Sequence, residues 1–189
     1  GALKEAITTK DSTDVAALEK QLEKNAKNAA LLGRLCALTR AANPQKSLEY
    51  CRRASETEPD NINHAVGYGA ALVQARQFES AAALLRRILE IAPDNYTARA
   101  NLAAAVFQLK RYNEAKIEYR RLTEKKPDLA VAYYFLAISH DNLGEYLDAM
   151  ANYQQFLRLA DPNQNQLEIE KVNLRLPALQ KIIKEKGKK

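Results

Sequence analysis

The sequence predicts an all-α fold in which pairs of antiparallel helices repeat along the chain. Three observations carry that expectation. Pro-Asp pairs fall at Pro59-Asp60, Pro93-Asp94 and Pro127-Asp128, an even step of 34 residues. Small, aromatic and large apolar side chains recur at the same step. The 189 residues are rich in Ala, Leu, Glu, Lys and Arg, with no tryptophan, six glycines and six prolines, a composition that favours helices over strands.

Taken in order, residues 1–27 read as an N-terminal segment, and "STDVAALEKQLEK" from about Ser12 to Lys24 reads as one amphipathic capping helix. Four units follow, at 28–61, 62–95, 96–129 and 130–163. Small residues recur at Gly69, Ala103 and Ala137, and again at Ala81, Ala115 and Ala149. Two helices approach closely only where side chains are small, so Gly69 is expected to face Ala81, Ala103 to face Ala115, and Ala137 to face Ala149. Aromatics recur at Phe78, Tyr112 and Tyr146. Large apolar residues recur at Leu85, Tyr119 and Tyr153, and at Ile88, Leu122 and Phe156. Positions 81, 85 and 88 share one helical face, as do 115, 119, 122 and 149, 153, 156. Proline ends one helix and biases the residue before it away from helical angles, and the Asp or Asn that follows caps the next.

A period of 34, two helices, a small residue in each, an aromatic before the second and a closing proline resemble the tetratricopeptide repeat. The match covers Asn28 to about Asn163. It is firmest for the units starting at Ile62, Tyr96 and Ala130. In the first unit Ser47, Cys51 and Ala54 hold the second-helix places, and Cys36 fits if the turn at Asn43-Pro44 is one residue short. The last unit closes on Asp161-Pro162, displaced by one, and the family's tryptophan is missing throughout. The resemblance implies a right-handed α-α superhelix, or solenoid, of about four helix pairs with N- and C-terminal capping helices. Residues 164–189 hold the closing helix and a basic tail. Pro177 is expected to kink that helix or start a new turn, with Val172, Leu176, Leu179 and Ile183 against the last repeat. The final "KEKGKK" reads as frayed.

The same resemblance implies a concave groove lined by the first helix of each pair. There Val66, Val73, Phe107, Tyr134, Phe135 and Ile138 offer apolar surface, and Gln74, Asn101, Gln108 and Asn142 offer side-chain amides that both donate and accept. This pattern suits a peptide or partner helix, with the aromatics as anchors, and makes the chain a non-catalytic interaction module. The family's clamp for acidic chaperone tails is not matched: its places hold Gly33, Ala37, Gly67, Thr97 and Asn101, or one unit later Val66, Ala70, Asn101, Val131 and Phe135. Only Asn101 fits. Arg34 and Arg40 near one end of the groove are thin support for an acidic ligand.

Other function classes find little support. The sequence has no phosphate loop, nucleophile elbow or H-E-x-x-H, and its two histidines, His64 and His140, stand apart. No enzyme, metal, cofactor or small-molecule substrate is expected. The net charge of +6 lies wholly in Lys171–Lys189, where seven basic residues meet one glutamate. An alternative function follows, association with nucleic acid or an anionic membrane through this tail. Nucleic acid is disfavoured, because no aromatic residue interleaves with the lysines. Cys36 and Cys51, without CxxC spacing, read as buried small apolar side chains, with a disulfide as the lesser alternative. The opening residues carry no apolar signal core, although Gly-Ala resembles a cleavage scar. The compartment is therefore open: the cytoplasm is favoured, alongside a removed signal peptide or membrane anchor.

Overall fold

The computed structural model describes residues 14–187, all of it helix, turn and short connection. Residues 12 and 13 of the expected first helix, the opening Gly-Ala and the last two lysines lie outside the described residues. The helices are α1 over 14–24, α2 (Ala29–Thr39), α3 (Pro44–Thr57), α4 (Ile62–Gln74), α5 (Phe78–Ile91), α6 (Tyr96–Gln108), α7 (Tyr112–Lys125), α8 (Ala130–Asn142), α9 (Tyr146–Leu159) and α10 (Gln166–Lys186). No described helix is long and apolar enough to cross a membrane. The chain forms two compact units, divided between Asn101 and Leu102 inside α6.

The repeated turns have a definite chemistry. The Asn28 and Asn95 side chains accept from the backbone N–H groups of Leu31 and Ala98, at 3.0 and 2.9 Å, and Asn61 accepts from Asn63 at 3.1 Å. In "PDN" the asparagine is therefore the residue that caps the next helix. The turn inside each later unit uses a different device. Arg76, Lys110 and Gly144, again 34 apart, take left-handed backbone angles, with φ of 61°, 59° and 75°. That conformation ends the first helix and lets the chain reverse. The first unit turns otherwise: Asn43 caps α3 by accepting from Lys46 N–H at 3.0 Å, with Pro44 as the first helical residue. The turn is one residue shorter for that reason.

In the N-terminal unit, α2 packs on α3, and α4 packs on α2, α3 and α5. Leu18, Leu22, Leu32, Leu35, Cys36, Tyr50, Cys51, Ala54 and Ala71 form its buried cluster. Cys36 and Cys51 are joined by a disulfide, with their Cα atoms 5.0 Å apart. This corrects the reading of them as two free apolar side chains. Both sit where the two helices touch, so the same closeness that buries them brings the sulfurs together. Across the second pair, Gly69 faces Leu85 more tightly than expected: a Cβ on Gly69 would lie 2.6 Å from a Leu85 methyl. The small residue makes room for the large one four positions beyond Ala81.

In the C-terminal unit, α8 packs on α7 and α9, and α10 packs on α9. Tyr134, Ala137, Ala149, Tyr153, Phe156, Val172 and Leu179 form the buried cluster, with Leu176 packed against it and Ile183 half-buried. The helix α10 runs through Pro177 without a new start there. Pro177 and Asn173 are both exposed. The carbonyl that proline cannot serve is therefore free to meet water.

Candidate partner-binding surface

The first-type helices α4, α6 and α8 carry the residues singled out from the sequence. In the N-terminal unit, Val66 is buried at 7% exposure, Val73 is half-buried, and Gln74 is exposed at the last turn of α4. Asn101 is half-buried, and its amide donates to the Thr97 carbonyl at 2.8 Å. In the C-terminal unit, Phe107, Phe135 and Ile138 are half-buried, while Gln108 and Asn142 are exposed. Asn142 also donates to a carbonyl of its own helix, that of Ile138, at 2.8 Å. These two asparagines each spend one N–H on their own helix and keep a second N–H and the side-chain carbonyl oxygen. Tyr134 is buried at 9% exposure and belongs to the core.

The aromatic side chains of the C-terminal unit form one connected network. Phe107 meets Phe135 edge to face at 4.9 Å between ring centres, and meets Tyr112 and Tyr119 at 5.7 and 6.2 Å. Phe135 stacks on Tyr119 at 5.4 Å, and Tyr134 bridges Phe135 to Phe156 at 5.3 and 5.1 Å. Such pairs hold ring orientation as well as area. Burial pushes the Tyr119 hydroxyl far above its ordinary pKa, so it stays neutral. Phe107, Phe135 and Tyr112 are the half-open members, and buried Tyr119 packs against both phenylalanines. Gln108, next in sequence to Phe107, and Asn142, one turn beyond Ile138, are exposed on the same helices.

Polar groups that the sequence reading passed over frame this unit. Arg175 of α10 grips Asp141 of α8 with two hydrogen bonds, at 2.7 and 2.8 Å. The two residues are 34 apart, which places Arg175 on the first-helix register. Lys116 and His140 both bond Glu145, each at 2.6 Å, and the Lys116 hydrogen bond leads in lowering the Glu145 pKa. His140, Glu145 and Asp148 bring potential ligand atoms within 4.8 Å of one another. A lysine ammonium already holds the central carboxylate, so the cluster reads as an ion-pair network. In the basic C-terminal helix, Lys186 sits 4.6 Å over the Tyr146 ring.

In the N-terminal unit, the Arg40 guanidinium is half-buried, its pKa lowered by desolvation. It lies 3.5 Å from the Cys36 sulfur, and its Nε is buried without a hydrogen-bond partner. Arg34 is exposed.

Family models described as tetratricopeptide repeat match residues 72–139 and 130–163. The chain is a tetratricopeptide repeat protein. Among solved structures, this repeat protein is similar to MamA AMB-1, with a TM-score of 0.72 and 22% identity over 82% of this chain and 93% of that one. MamA MSR-1 gives 0.71 and 23% over 82% and 90%, and MamA from Desulfovibrio magneticus RS-1 gives 0.66 and 18% over 83% and 96%. These likenesses show the helical-repeat fold. No curated protein matches the chain. As a tetratricopeptide repeat protein, it is a protein-interaction scaffold.

Proposed function

We propose that the scaffold binds a peptide or partner helix on the faces of its first-type helices and performs no catalysis itself. The observation that carries this reading is the half-open Phe107–Phe135 pair, packed on buried Tyr119, with Gln108 and Asn142 exposed on the same helices. Rigid aromatic surface beside polar groups is the composition of binding hot spots. Ile138 extends the apolar strip. Tyr134 supports it from the core, and Val66 does the same within the N-terminal unit, where Val73, Gln74 and Asn101 offer the corresponding surface. The remaining amide N–H and oxygen of Asn101 and Asn142 suit the polar groups of a bound backbone.

The test is affinity capture from the source cell with three full-length baits: wild type, Phe107→Glu and Arg87→Glu. Arg87 lies exposed on the second-type helix α5 and serves as the control. Circular dichroism checks that each bait is folded. Partners held by wild type and Arg87→Glu but lost by folded Phe107→Glu support the reading. Equal capture by all three overturns it.

A further inference from the structure

We propose that the Cys36–Cys51 disulfide is a redox latch that sets the order of the first helix pair, α2–α3, independently of the later pairs. The repeat register supports this. Cys36 holds the place of Gly69, Ala103 and Ala137, and Cys51 holds the place of Leu85, Tyr119 and Tyr153. In the second pair Leu85 fills the space over Gly69, and the later pairs hold buried Tyr119 and Tyr153 at the same register place. In the first pair both partners are cysteines, so no large side chain fills that space.

The neighbouring places are small as well. Ser47 and Ala54 stand with Cys51 on the buried face of α3, at 0, 1 and 0% exposure. Ser47 donates to the Cys36 carbonyl at 2.7 Å, a bond that replaces an alanine's plain contact. At this contact the covalent bond, with the Ser47 hydrogen bond, joins the two small surfaces. Without the disulfide, Leu32, Leu35 and Tyr50 still form the buried cluster around the pair, but the Cys36–Cys51 contact itself has no large side chain to close it. The first pair also touches α1 and α4. Tyr50 of α3 donates to Glu19 of α1 at 2.6 Å, and a Cβ on Gly67 of α4 would lie 3.7 Å from the Cys36 sulfur.

The chemistry is thiol–disulfide exchange with a dithiol reductant. One reductant thiolate attacks a sulfur, the S–S bond breaks, and a mixed disulfide forms. The second reductant thiol then displaces the protein sulfur. The protein gains two electrons and two protons as two thiols, and the reductant leaves as its own disulfide. Attack at Cys51 releases Cys36 as a thiolate beside the Arg40 guanidinium, 3.5 Å away, which favours that charged product. Cys51 and Cys36 are 0 and 4% exposed, so exchange follows opening of the pair. In an oxidising compartment the latch is closed, and a reducing one opens it.

The experiment uses the full chain, with and without dithiothreitol, and reads hydrogen exchange by mass spectrometry. Alkylation of two thiols confirms reduction. On reduction, amides in residues 29–57 are expected to exchange at least tenfold faster, with residues 112–159 unchanged. A Cys36→Ser/Cys51→Ser chain should show the fast pattern with or without reductant. Three results overturn the proposal: unchanged exchange in 29–57 after confirmed reduction, equal acceleration in 112–159, or no reduction of the native chain after prolonged incubation.

Discussion

The first helix pair of the N-terminal unit and the pairs of the C-terminal unit solve one packing problem by different means. In the C-terminal unit, Ala115, Ala137 and Ala149 let helices approach, and Tyr119, Leu122, Tyr153 and Phe156 fill the space with buried bulk. Burial of a large apolar side chain contributes roughly 1.5–3 kcal/mol. In the first pair the corresponding places hold Cys51 and Ala54, and the missing bulk is replaced by a bond. Closing a loop of this length contributes about 3 kcal/mol by restricting the unfolded chain. The two contributions are of the same size, which is why one register tolerates both. A repeat position is thus defined by the closeness it enforces and leaves the chemistry that uses the closeness free to change.

The largest expected effect strikes the packed solution. Ala115→Arg places a charged side chain at a position with no exposure and should destabilise the chain by more than about 4 kcal/mol. Urea unfolding measures this, and a midpoint equal to wild type would show that the C-terminal unit does not depend on the small-residue contact. The covalent solution comes next: Cys36→Ser/Cys51→Ser should lose about 3 kcal/mol, read as faster proteolysis within 29–57. Gly69→Ala sharpens the link between the two solutions. The new methyl would lie 2.6 Å from a Leu85 methyl, and relieving that overlap should cost about 1–3 kcal/mol in thermal unfolding.

The smallest effect concerns charge. The Lys116 and His140 hydrogen bonds hold the Glu145 carboxyl below its ordinary pKa near 4.5. A depressed folded pKa gives stability that is complete above the unfolded value and is lost as the pH falls through the folded one. Glu145→Gln should therefore be less stable than wild type near neutrality, with the gap closing as the pH drops below 4.5. A gap that stays constant with pH in urea titrations would assign the loss to packing instead of charge.

Much of this architecture was legible because it repeats. The 34-residue step placed every helix from α2 to α9, and the one-residue shortening at Asn43-Pro44 was readable from the position of Cys36. The same register put Cys36 in the small-residue place, opposite Ser47 by the expected pairing, and a spacing of 15 residues carries no disulfide signature by itself, so the bond to Cys51 appeared only with the fold. The left-handed residues at 76 and 110 were hidden because Arg and Lys do not announce such angles as glycine does. Of the candidate surface, Phe107 and Phe135 stand half-open, whereas Tyr134, one residue from Phe135, turns into the core. Neighbouring residues on a helix point about 100° apart, and sequence spacing alone does not say where the core boundary falls between them. Asp141 and Arg175 went unpaired because α10 was read as a cap, although their 34-residue separation marked it as a first-type helix.

The central claim is that the bond between Cys36 and Cys51 and the contact between Gly69 and Leu85 are interchangeable solutions to one contact. The direct test is Cys36→Ala/Cys51→Leu, which rebuilds the packed solution in the first pair, compared by urea unfolding with Cys36→Ser/Cys51→Ser under oxidising conditions. The account predicts that the Ala/Leu chain recovers most of the roughly 3 kcal/mol lost by the Ser/Ser chain and no longer responds to dithiothreitol. An Ala/Leu chain as unstable as the Ser/Ser chain would contradict it.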